Sequence, residues 1–127
     1  MKPYIHAKQD VKLFGGKKED YYDIHEFIDS SYHVLPDIRH RALLHNQFGL
    51  MMVERLFGQC RINSDGREYS PRDVAENHIL ADLGRIPTVE QYFVNLTVQP
   101  WMSGTLKKRR VMSFNKGSQH ETVHSSS

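Results

Sequence analysis

Residues 37–57 read DIRHRALLHNQFGLMMVERLF, and this stretch decides the fold class. Ile38, Ala42, Gly49, Met52 and Leu56 recur at helical spacing, on one stripe. Leu43 and Leu50 fall on the other side, so the spacing predicts one long, central helix over Asp37–Phe57, buried on more than one face. Asp37, just after Pro36, is placed to cap it, and Gly58 to stop it. His45 lies within the apolar stripe. An imidazole there must find a hydrogen-bond partner or a metal.

Shorter elements flank this helix. Tyr4–Phe14 reads as a helix stopped by Gly15-Gly16. Glu19 and Asp20 put negative charge at the start of a second helix, which runs to about Ser30 with Tyr21, Ile24, Phe27 and Ile28 facing the core. Beyond Gly58, two short runs around Asn63-Ser64-Asp65-Gly66 give a hairpin signal. Ser70-Pro71-Arg72-Asp73 then opens a helix that ends at Gly84. Thr88 caps a last short helix reaching about Phe93. The expected fold is therefore mainly α: a compact domain of four to five helices with one small β-hairpin.

The domain is expected to span residues 1–100. Residues 101–127 read as a basic, largely disordered tail, poor in apolar residues after Gly117. At 127 residues, with 39% hydrophobic and 25% charged residues, the chain has the composition of one ordinary globular domain. A net charge of +2 is too small to imply nucleic-acid binding by itself. Cys60 is the sole cysteine, which excludes an internal disulfide and a cysteine-rich zinc motif. No apolar run reaches the roughly 20 residues of a membrane span, and no signal peptide follows Met1, so a cytoplasmic location without membrane contact is expected.

Three His-x-x-x-Asp pairs on predicted helices carry the chemistry, His6/Asp10, His25/Asp29 and His78/Asp82; a fourth, His33/Asp37, lies in the loop around Pro36. Shuffling this composition gives roughly half of one such pair. Residues four apart share a helix face, and a carboxylate beside an imidazole fixes its tautomer and raises its basicity. His25, His45 and His78 lie on three separate predicted helices and are the candidate ligands of a divalent transition metal, zinc, iron or manganese. Asp29, Glu54 and Asp82 are the candidate catalytic carboxylates. Five residues of ideal helix turn His40 about 140 degrees from His45, so His40 is not expected on the same ion. With Arg39 and Arg41 it forms a candidate anion-binding face, since guanidinium offers paired donors. Lys107, Lys108, Arg109 and Arg110 are candidate nucleic-acid contacts, with Trp101 and Phe114 available to stack on bases.

Several blocks support a family resemblance: Phe14-Gly-Gly, Ile24-His25, Arg39-His40-Arg41-Ala42-Leu43-Leu44-His45, Glu54 to Gly58, Asn63 to Gly66, and Asp82 to Pro87. Across His6–Phe93 the chain resembles a family of small histidine-rich domains of unknown function in bacteria and their phages. The resemblance implies a bacterial or phage origin and carries over no activity. No hydrolase elbow, P-loop or zincin motif is present. The expected function is that of a domain with a His/carboxylate metal site which, if catalytic, serves metal-assisted hydrolysis of a phosphorylated or nucleic-acid substrate. One alternative is a non-enzymatic interaction protein with buried structural histidines and a host or phage protein partner. Another is a weak nucleic-acid binder acting through the basic tail.

Overall fold

The computed structural model describes residues 2–104. Six α-helices and one hairpin are found among them: α1 (Pro3–Phe14), α2 (Tyr22–Asp29), α3 (Arg41–Leu44), α4 (Gln47–Phe57), β1 (Arg61–Ile62), β2 (Glu68–Tyr69), α5 (Pro71–Leu83) and α6 (Val89–Phe93). The mainly helical fold and the hairpin are as the sequence predicts. No helix is long and apolar enough to cross a membrane among the described residues. Lys107, Lys108, Arg109, Arg110 and Phe114 lie outside those residues. Residues 96–104 belong to a separate compact unit, which carries a 3-10 turn at Pro100–Ser103.

In the unit formed by residues 1–95, α2 packs against α1, α4 and α5, and α5 packs against α1 and α4. The core lies between these four helices. Ala7, Tyr21, Ile24, Ile28, Leu50, Val53, Val74, Ala75 and Ile79 are its fully buried members. Local capping is as the sequence directs. Ser70 and Thr88 accept hydrogen bonds from the third backbone N–H of α5 and α6, and Gly84 closes α5 in the left-handed region.

The stretch read as one helix over Asp37–Phe57 is instead three pieces: a 3-10 turn at Ile38–His40, then α3, then α4. Asn46 breaks it. Its backbone is extended, its Oδ1 accepts from Gly49 N at 2.8 Å, and its Nδ2 donates to Ala42 O at 2.8 Å. One side chain thus satisfies both broken ends, and this local bonding wins over helix continuation. The break shifts the helical phase, so the predicted stripe does not exist. Ile38 and Leu56 are exposed, while Gly49, Leu50 and Val53 are the buried face of α4.

The corner is tight. A Cβ on Gly49 would overlap the Leu44 carbonyl, which is backbone and cannot swing aside. Gly49→Ala should therefore cost about 2 kcal/mol or more, as overpacking against a fixed neighbour does. Urea unfolding checks this; an unchanged midpoint would show that the corner relaxes.

The hairpin is tied to the α1–α2 connection. Asn63 Nδ2 donates to Phe14 O at 2.9 Å, Gly16 N to Asp65 Oδ2 at 2.9 Å, and Ser64 Oγ to Asp20 Oδ2 at 2.8 Å. Gly15 and Gly16 both take positive φ, at 83° and 72°, which is why this short link reverses the chain. That reversal sets α1 beside α2 with their histidines on facing sides.

Candidate metal centre

Spacing of four residues presents His6 with Asp10, His25 with Asp29 and His78 with Asp82 on one face of α1, α2 and α5 respectively. Those faces meet. His45 joins them from the α3–α4 corner, where its φ of −84° and ψ of 62° leave the helix and its carbonyl accepts from Tyr92 Oη. All four imidazoles are at most 1% exposed. Of the predicted trio, His25 and His45 each meet His78, with ring centroids 5.1 Å apart, but they fall into separate groups of possible ligands, His25 with His6 and His45 with Asp29 and Asp82.

The His-x-x-x-Asp partners are largely exchanged between helices. Asp10 accepts from His25 Nε2, Asp29 Oδ1 lies 3.1 Å from His78 Nε2, and Asp82 Oδ2 lies 3.0 Å from His45 Nε2. Only His78 also keeps its own carboxylate, Asp82, at 3.3 Å. His6 Nε2 sits 3.4 Å from Asp82 Oδ1 but off the line of a hydrogen bond. Each short-range pair in the sequence therefore encodes a long-range contact.

Protonation follows from these contacts. Burial pushes His25 and His45 below the ordinary imidazole range, more strongly than Asp10 and Asp82 pull them back. Burial alone would also lower His78, but hydrogen bonds to Asp29 and Asp82 carry it upward. Burial would raise Asp82; its contacts with the His45, His6 and His78 imidazoles outweigh it and hold that carboxyl well below the usual range. Asp29 is lowered too, because contact with His78 overcomes its burial. Among these imidazoles His78 is the one whose contacts with carboxylates outweigh its burial. Its Nδ1 shares one proton with His25 Nδ1 across 2.9 Å, and its Nε2 lies 3.1 Å from Asp29 Oδ1, which accepts. Two buried nitrogens still lack any hydrogen-bond partner: His6 Nε2 and His45 Nδ1.

The same atoms have the spacing of a ligand sphere. Asp29, His45, His78 and Asp82 each offer one atom within 4.8 Å of the others. The His–Asp separations are 3.0, 3.1, 3.3 and 3.5 Å. Ligand atoms about 2.0–2.1 Å from one ion lie about 2.9 Å apart at a right angle and about 3.3 Å apart at the tetrahedral angle. Two imidazoles and two carboxylates form a donor set that could hold a metal ion.

Asp29 is 25% exposed whereas Asp82, His45 and His78 are at most 3%. Asp29 therefore marks the open side. A cleft of about 470 Å³ begins there, lined by Asp29, Asp82, Tyr32, His40, Arg41 and Lys2 among others.

A family profile described as "Domain of unknown function (DUF6915)" matches residues 1–102. The chain belongs to that family. No curated protein and no solved structure matches it.

In this DUF6915 chain the remaining sequence candidates are placed differently. Glu54 is not in the cluster; it forms a half-exposed ion pair with Arg72 at 3.3 Å, because α4 presents Leu50 and Val53 inward and Glu54 outward. Arg39 is bound to Asp37 at 2.7 Å on the surface, 72% exposed, and does not line the cleft. His40 and Arg41 do line it. The predicted 140-degree separation of His40 from His45 does not hold, since the helix is broken between them; their rings meet edge to face at 5.5 Å. His40 is nonetheless absent from the ligand groups among the described residues, and its Nδ1 is engaged with Ser31 Oγ at 2.9 Å. His6 and Asp10 were the omissions from the candidate set. Their signal was the first His-x-x-x-Asp pair, equal in form to the two that were used.

Proposed function

We propose that this domain is a metal-dependent hydrolase acting on small phosphorylated substrates. The observation that carries the reading is the quartet Asp29, His45, His78 and Asp82, with ligand-sphere separations and an opening at Asp29 alone. A bound divalent ion supplies an acidified water and polarises a phosphoryl oxygen. Three ligands shut off from solvent and one at the surface leave that ion a coordination position facing the cleft. Arg41 and Lys2, on the cleft wall, supply positive charge for the anionic group. Arg41 replaces the Arg39–Arg41 pair suggested by the sequence, because Arg39 is spent on Asp37. The cleft volume is of the size that holds a small molecule, which supports reading the substrate as a small phosphorylated compound.

The direct test strips the full-length protein with a chelator. It is then reloaded with zinc, manganese or ferrous iron and assayed on p-nitrophenyl phosphate, bis-p-nitrophenyl phosphate and a single-stranded oligonucleotide. Turnover of a phenyl phosphate that depends on the ion is expected. An ion that binds tightly yet supports no turnover on any of the three overturns the hydrolase. Cleavage of the oligonucleotide alone overturns the small-substrate assignment.

Arg41→Ala should raise KM for the phosphorylated substrate about tenfold with kcat nearly unchanged, the weight of one charge-assisted contact made in ground and transition states alike. Arg39→Ala should leave both constants alone. Equal effects of the two substitutions would refute the cleft assignment.

A second reading treats the histidines as structural hydrogen-bonders in a domain that binds another protein. The continuous path Asp10–His25–His78–Asp29 favours it. It leaves His6 Nε2 and His45 Nδ1 buried and unpartnered, which is why it ranks second.

A further inference from the structure

We propose that the cleft binds a nucleoside monophosphate, its phosphate toward Asp29 and its base stacked on Tyr32, an inference that rests on the hydrolase reading above. Tyr32 lines the same cleft as Asp29, Arg41 and Lys2, and it is 51% exposed. An exposed aromatic ring is ordinary on a protein surface. This one is set apart by where it stands and by how it is held.

Tyr32 lies three residues after Asp29, in the 3-10 turn Ser30–His33 that continues from α2. His45, His40 and Tyr32 form a row, with ring centroids 5.5 and 5.6 Å apart in turn. Exposure rises along that row from 0% through 8% to 51%, so it runs from the ligand quartet out to solvent. An anionic group held at the quartet therefore has an aromatic ring beyond it, at the outer end of the row. The two ring steps between them leave room for a sugar.

The turn that carries Tyr32 is tied at both ends. Ser30 Oγ donates to Phe27 O at 2.7 Å. Ser31 Oγ donates to His40 O at 2.9 Å and lies 2.9 Å from His40 Nδ1. The Tyr32 ring meets His40 at 90°, a perpendicular contact that covers no more than one of its faces. With half of the residue in solvent, a flat face is left for a stacking partner. A base stacks on such a face whatever its hydrogen-bonding edge, and a ring held in place beforehand loses little freedom when it does.

Charge and size select the monophosphate. Lys2 and Arg41 share the cleft wall with Asp29 and Asp82, so a longer phosphate chain would crowd further negative charge against those carboxylates. The cleft, at about 470 Å³, lies within the range of small-molecule sites.

The test titrates zinc-loaded, full-length protein in phosphate-free buffer with three phosphonates that it cannot hydrolyse. They are the phosphonate analogues of adenosine monophosphate and of glucose 6-phosphate, and methylphosphonate. Calorimetry should give the adenosine analogue a Kd about tenfold below the other two, the weight of one base stacked on an aromatic ring. Tyr32→Leu should abolish that advantage and Tyr32→Phe should keep it. Equal Kd values for the adenosine analogue and methylphosphonate overturn this inference alone, since turnover of phenyl phosphate decides the hydrolase separately. A glucose analogue that binds as tightly as the adenosine one puts a sugar on Tyr32 and also overturns it. An advantage that survives Tyr32→Leu places the base elsewhere and overturns the assignment. Failure of all three to bind overturns the anion cleft, and both readings with it. A Tyr32-dependent advantage in a protein that turns over nothing supports the nucleotide site and overturns the hydrolase.

Discussion

His78→Ala should be the most damaging single substitution in this protein. It should abolish retention of divalent metal and lower the stability of the metal-free chain by about 3–5 kcal/mol, the cost of leaving buried charge without its partner. His78 is the residue on which the cluster converges. It contacts His25, Asp29 and Asp82 through its two nitrogens, and its ring stacks on His6 at 3.7 Å. Removing it takes the shared partner from between the carboxylates of Asp29 and Asp82 and opens a cavity in the middle of the bundle. For a domain of this size the thermal midpoint should fall by about 10 °C or more. Glu54→Gln is the matched control. Its ion pair with Arg72 is half exposed, so stability should move by no more than about 0.5 kcal/mol and metal retention not at all. Calorimetry with metal analysis on both variants decides it. Equal, small effects would mean that the cluster carries neither charge nor metal.

The fold was legible wherever a local signal suffices. Ser70-Pro71 and Gly84 bracket α5, and Asn63 to Gly66 makes the turn between β1 and β2, because caps and turns are satisfied by the few residues that form them. The Asp37–Phe57 stretch shows where that reasoning fails. Its apolar spacing favours one helix, while Asn46 bonds to Ala42 O and Gly49 N and stops it. The break also needs a glycine to clear Leu44, a tertiary condition that no period reveals.

Site residues were legible as residue types and not as partners. His25, His45 and His78 were identifiable from helical placement next to acids. Which acid serves which histidine depends on how α1, α2 and α5 meet, so Asp10 looked like the partner of His6 and is that of His25. Glu54 was drawn in by its chemistry alone; a carboxylate on the outer face of α4 reaches Arg72 instead. His6 shows the converse. A residue with ordinary sequence context becomes one of the most buried polar groups once Ala7, on the same helix, docks in the core.

Metal uptake should be coupled to proton release, with a sign the geometry fixes. In the ion-free protein Asp29 and Asp82 raise the affinity of His78 for a second proton above that of a free imidazole, against the effect of its burial. An ion bound at Nε2 competes with that proton. Below the raised pKa of His78 zinc binding should therefore release a proton, seen as a binding enthalpy that scales with the ionisation enthalpy of the buffer. Apparent affinity should weaken by about tenfold for each pH unit of acidification while His78 keeps its proton, and this dependence should flatten as pH rises past that range. His25 and His45 are held neutral by burial, so they add nothing to the slope near neutrality. The ion in turn stabilises the fold by mass action, by about 2.7 kcal/mol when its free concentration is a hundredfold above Kd. Titration calorimetry in phosphate-free buffers of differing ionisation enthalpy measures the first quantity, and thermal unfolding at graded free zinc the second. A binding enthalpy independent of buffer, with affinity flat from pH 6 to 8, would show that the ion binds away from His78.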